Sequence, residues 1–205
     1  MSLAALLAHN RKSNDFSYLQ LSNDFIMKKI VLVYGLIAAA VFAVTMFGAF
    51  PFWKNGTITF ENGEYVGYSS MVIALSMVFF GVKSFRDNHL GGTISFGKAL
   101  QVGLLITLLA SLGYAISWEF YFNLIAPDFM DKYAAFSINK AKVGGAAEAE
   151  IQTMSTSMES MKEMYKNPFI RFGFTLMEVS PVGIVISLIS AGLLRKKTFL
   201  ATQNA

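Results

Sequence analysis

Four stretches of the chain carry apolar residues almost without interruption, and short basic clusters set them apart. Ile30 to Phe50 has no charge and stops at Pro51-Phe52-Trp53-Lys54, a turn, aromatic and basic signal of a membrane interface. Tyr65 to Val82 is followed by Lys83 and Arg86, and Ala99 to Trp118 can continue as a helix to Ile125, before Pro127. Phe172 to Leu194 is interrupted only by Glu178 and closed by Arg195, Lys196 and Lys197. A bilayer core of roughly 30 Å takes about 20 apolar residues as a helix, because backbone groups there need internal partners. The pattern therefore predicts an all-α integral membrane protein with four transmembrane helices, over about 30–50, 65–85, 97–125 and 169–194.

The connection from Pro127 to Asn167 has its own period. Ile151, Met154, Met158, Met161 and Tyr165 recur at steps of three and four opposite acids and lysines, which predicts an amphipathic helix in the long loop between helices 3 and 4. Gly144-Gly145 loosens its start and Asn167-Pro168 ends it. Residues 28–197 then form one membrane domain, with 198–205 as a tail. Residues 1–27 read as an N-terminal extension, either disordered or an overextended start ahead of "MKKIVLVYG" at Met27. The first span is longer than a signal-peptide core and lacks a small-x-small cleavage site, so it is expected to be retained.

Helical periodicity also predicts which faces turn inward. Tyr65, Ser69, Ser76 and Lys83 fall in one stripe of the second helix, and Thr107, Ser111, Tyr114 and Trp118 in one of the third. Arg171, Thr175 and Glu178 share a face of the fourth. Small residues at four-residue spacing, Gly35-Ala39-Ala43 and Gly183-Ser187-Ala191, offer close-packing faces to a neighbouring helix of the bundle or to a second copy.

Composition agrees with a lipid solvent: 54% hydrophobic residues, 15% charged and a mean hydropathy of +0.49 in 205 residues. The formal charge of +4 gathers beside the spans, without the basic-aromatic interleaving of a nucleic-acid surface. Lys28-Lys29, Lys83, Arg86, Lys98 and Arg195 to Lys197 all fall on one side of a four-span path, which puts both termini in the cytoplasm and the long loop outside. Zero Cys and two His remove disulfides and the usual soft-metal sites. No cofactor is expected.

The candidate chemistry is sparse. Glu178 sits inside a span, where an acid is either neutral or paired and is a functional candidate by default. The other reading makes it a donor to a helix carbonyl near Pro181. Arg171 can reach toward it, or pair with Glu119 at the end of the third span. Thr175, Thr107, Ser111 and Tyr114 complete a candidate intramembrane polar site. Gly92, Gly97 and Lys98 have phosphate-loop spacing, but Ala99 stands where the Mg²⁺ hydroxyl belongs and no strand precedes. Lys83, Arg86 and Lys98 are better placed to meet lipid headgroups. The row Met154-Met158-Met161 could hold Cu(I) through thioethers, yet an adaptable apolar face fits its surroundings better. No nucleophile or paired-carboxylate motif is present, so no enzyme is expected.

The runs "GGTISFGKALQVGLLITLLASLGYAI", "FNLIAPDFMDKY", "MYKNPF" and "VGIVISLISAGLLRKK" together resemble a bacterial membrane family known as domain of unknown function 4199, over about Lys28 to Lys197. The resemblance implies a small four-span protein of the bacterial inner membrane and carries over no catalytic or binding residue. The function expected is that of a non-enzymatic accessory or partner-binding protein, its associates being the bilayer, a membrane protein or a second copy, with no nucleic acid. The alternative is a small proton- or solute-coupled transporter or channel using Glu178.

Overall fold

A computed structural model describes residues 3–196 and 199–200, the side chains of 3–22 excepted. Six helices follow in order: α1 Leu3–Lys54, α2 Gly63–His89, α3 Phe96–Leu124, α4 Phe129–Val143, α5 Glu148–Tyr165 and α6 Pro168–Leu194. Among the described residues there is no strand. Parts of α1, α2, α3 and α6 are long and apolar enough to cross a membrane, the α1 candidate running Asn23–Lys54. The four expected spans are therefore present, each longer than its apolar stretch.

Local sequence explains the helix ends. The Ser95 hydroxyl caps α3 by accepting from the Lys98 N–H at 3.3 Å, and Asn167 accepts from Phe169 N at 2.9 Å, with Pro168 opening α6. Between α2 and α3, Gly91 and Gly92 take φ of 64° and 80°, a left-handed pair that a side chain would strain. Two elements depart from expectation. The backbone is helical from Leu3, continuous with the first span, and α1 carries Pro51 in its last turns, where one lost N–H costs little. The loop before α5 holds a further helix, α4, whose only fully buried side chains are Met130 and Ala134. That apolar stripe is short and broken by Asp131 and Lys132, so its period is faint in the sequence.

α3 is the hub, packing on α1, α2 and α6, while α2 also packs on α1 and α6. α4 packs on α5, and α5 touches α6. The Lys162 ammonium ties the α4–α5 hairpin to Asp131 at 2.7 Å, and this hydrogen bond holds the amine above its ordinary pKa. Both small-residue faces are consumed inside the bundle. Gly35 lies against Leu109 and Ala39 against Gly113. Gly103 faces Ser187 with little room to spare, and Gly183 lies so close to Thr107 that a Cβ there would collide. The polar stripe of α2 does not turn inward: Tyr65 and Ser69 are exposed, and Ala74, Leu75, Val78 and Val82 form its buried face. Apolar volume won that competition.

Candidate functional site

Along α3 and α6, two antiparallel rows of residues four apart meet and carry most of the predicted polar site. At the end shared with the α2–α3 turn, Ser187 packs on Gly103. One step on, the Thr107 hydroxyl donates to Gly183 O at 3.2 Å and shares a 3.1 Å contact with Ser187 Oγ. Ser111, Ala115, Thr175 and Val179 fill the middle and are buried. Thr175 donates to Arg171 O, within its own helix, at 2.9 Å. At the far end Arg171 grips Glu119 with both Nε, at 2.8 Å, and Nη2, and donates to Tyr165 O at 2.9 Å. Its guanidinium also lies over the Phe122 ring, 4.2 Å from the centroid. The seam is closed. Ser111 Oγ is buried with no hydrogen-bond partner among the described residues.

Glu178 is not part of this seam. Arg171 and Thr175 turn into the bundle, whereas Glu178 is exposed on the flank of α6, and no hydrogen bond or ion pair joins it to another described residue. The expected common face divides because the contact row on α6 advances by fours, 171-175-179-183-187, and leaves 178 at its edge. Glu178 does lie near Tyr165. Burial raises that phenol's pKa, with Glu178 and Glu119 adding to the rise and the Trp118 hydrogen bond and Arg171 opposing it. Tyr114 leaves the seam too, its ring 4.8 Å from that of Phe42 on α1.

The basic end of the bundle holds the second arginine. Arg86 is fully buried rather than turned to lipid. Its guanidinium donates to Leu194 O at 3.2 Å, Phe199 O at 2.9 Å and Leu200 O at 3.1 Å, and its Nε to Asp87. It thus caps the carbonyl end of α6, where orphan acceptors and the helix dipole both favour a cation. Lys83 bonds Asp87 at 2.7 Å, and Lys98 lies 3.6 Å from Asp24. Of the three expected headgroup contacts, Arg86 is unavailable. Lys83 and Lys98 stay partly exposed, each with a carboxylate beside it.

The opposite end is built from rings. Trp53, Phe60, Phe129, Trp118, Tyr165 and Phe174 form a chain of contacts 5.1 to 6.4 Å between centroids, completed by Phe122 and by the Trp118 indole donating to the Tyr165 hydroxyl at 3.0 Å. Beneath this roof, among α1, α2, α3 and the start of α4, lies a cavity of about 690 Å³. Phe42, Met46, Phe50, Val66, Tyr114 and Tyr121 line its depth, and Lys54, Glu61, Asp128 and Lys132 stand at its mouth. Thr45 and Ser70 on its wall donate to carbonyls of their own helices, which leaves Tyr114 and Tyr121 with hydroxyls not bonded to a described residue.

Residues 33–196 match the family described as Protein of unknown function (DUF4199). The chain belongs to this family. No curated protein and no solved structure matches the chain. The region of the chain shared with the DUF4199 family takes in the four membrane-span candidates from Val33 onward and the α4–α5 hairpin, so it contains both arginines and the cavity. Among the described residues of this DUF4199 chain no group of His, Cys, Asp or Glu is arranged to hold a metal. The Met154-Met158-Met161 row lies half-buried on α5, the helix that packs on α4. Sequence reasoning missed the cavity, although one signal existed: Trp53, Phe60, Trp118, Tyr121 and Phe129 cluster at the ends of three elements that a four-helix path brings to the same side.

Proposed function

We propose that this protein is a non-enzymatic binding protein of the bacterial inner membrane, an accessory or partner-binding component whose working surface is the aromatic end. The observation that carries the reading is the cavity of about 690 Å³ at that end, within the range of roughly 300–1,000 Å³ usual for small-ligand sites. The basic residues at the opposite end favour a cytoplasmic location for it and for both termini, with the α4–α5 hairpin outside as an amphipathic cap. A transporter using Glu178 has less support, because Thr107 and Ser111, its expected companions, lie inside the closed α3–α6 seam.

A photo-crosslinking amino acid at Phe136, which lines the cavity, tests the binding reading in living cells, with Ile73, exposed on the bundle flank, as the reference position. A discrete adduct from position 136 and only diffuse lipid adducts from 73 are expected. Equal, diffuse adducts from both positions sink the reading. Because the natural chain has no Cys, a single cysteine at Gly145 labelled by an impermeant maleimide in intact cells checks the orientation.

A further inference from the structure

The cavity combines depth, a mostly apolar wall and a charged mouth. From Lys54 down to Phe42 its α1 wall extends about 18 Å at 1.5 Å per residue. That carries it from the interface to the middle of a hydrocarbon layer roughly 30 Å thick. Its volume is more than four times the ~150 Å³ that accepts a single benzene ring, so it takes an extended apolar group. A peptide at this depth would bring a run of amide groups for which the wall supplies only two free hydroxyls, those of Tyr114 and Tyr121, whereas an alkyl chain brings none.

The mouth decides what the chain is attached to. Asp128 and Lys132 pair at 2.7 Å, and this hydrogen bond from Lys132 holds the Asp128 carboxyl below its ordinary pKa. Lys54 and Glu61 have no such pair among the described residues. One cation and one anion are thus left to face a headgroup, and the four charges sum to zero. We infer that the cavity binds one alkyl chain of a zwitterionic phospholipid, with the phosphate at Lys54 and the ammonium at Glu61. This assigns a ligand class to the site and rests on the binding reading above.

The two tryptophans of the chain, Trp53 and Trp118, both line the cavity and serve as the probe. The full chain in detergent micelles is titrated with phosphatidylcholine carrying brominated chains, which quench indole fluorescence on contact. Saturable quenching is expected. Gly67 lines the cavity, and a Cβ there meets nothing within 4 Å, so Gly67→Phe fills the space with the fold intact and shifts half-quenching by roughly tenfold or more. Gly67→Ala keeps the wild-type curve and controls for the helix. Quenching that never saturates, or is the same in Gly67→Phe, marks ordinary surrounding lipid and overturns the proposal. Equal or tighter binding of brominated phosphatidylglycerol overturns the headgroup assignment. A Phe136 adduct that persists alongside either failure means the binding reading stands and this ligand class is wrong.

Discussion

The two ends of the bundle solve one problem, a buried arginine, in opposite ways. At the basic end Arg86 is satisfied by three backbone carbonyls and a neighbouring carboxylate, and the helices close around it. At the aromatic end Arg171 is satisfied mainly by a partner helix's carboxylate and ring faces, with one backbone carbonyl, that of Tyr165. A cavity opens at the same end, among α1, α2, α3 and the start of α4. Leu194 O cannot move without unwinding the end of α6, and Phe199 O and Leu200 O beyond it are gathered onto the same guanidinium, so the first arrangement is a cap on the helix end. Side-chain partners can repack, so the second arrangement leaves room for change.

The largest expected effect tests the cap. Arg86→Met removes the donor to three carbonyls and one of the donors to Asp87, which keeps Lys83, a loss of about 3–5 kcal/mol that thermal unfolding in detergent will show, since unmet buried acceptors cost about 1–3 kcal/mol each. Arg86→Lys recovers little of it, since an ammonium cannot spread its donors in the same fork. Arg171→Met is expected to cost less, about 1–3 kcal/mol, because Glu119, at 21% exposure, can regain water. A cost equal to that of Arg86→Met would break the comparison. Between the ends, Ser111→Ala removes a buried hydroxyl without a partner and should be neutral or stabilise by up to about 1 kcal/mol. A clear destabilisation would mean the seam holds a polar partner there.

The smallest effect lies in the α4–α5 hairpin. Asp131→Asn breaks a pair between an exposed carboxylate and a partly exposed ammonium that keeps Glu159, so unfolding should barely change while amide exchange in α5 quickens. The pH dependence has a definite sign. The folded pKa of Lys162 is raised above 10.5, so its contribution is complete below that value and fades as pH rises through the folded pKa. Raising the pH of the wild type should then reproduce the faster exchange, and Asp131→Asn should lose most of the dependence.

The spans were legible because length and apolarity dominate in a bilayer, and close packing of Gly35, Ala39, Gly183 and Ser187 followed from their size. The Arg171–Glu119 pair was one of two partners open to Arg171, as both residues sit at span ends on the same side. Position along a helix was readable, but rotation was not. Glu178 and the α2 stripe of Tyr65 and Ser69 were expected inside, because polar residues in lipid seek the interior, yet buried Val and Leu on the same turns took that place. Arg86 was read as a headgroup contact since its partners are carbonyls, which carry no sequence signature. The cavity was invisible for a similar reason: empty volume depends on how far helix ends splay.

The cap at Arg86 also has a place in time. Its three acceptors lie 108, 113 and 114 residues further along the chain. At about 5–20 residues per second the ribosome takes roughly 5 to 25 s to supply them. For that interval the guanidinium has only the carboxylate next to it, and α2 must wait at the membrane edge with a charge half answered. Completion of α6 is therefore sensed at α2 as the arrival of carbonyls, and a chain that stalls short of Leu200 exposes an arginine that a finished one conceals.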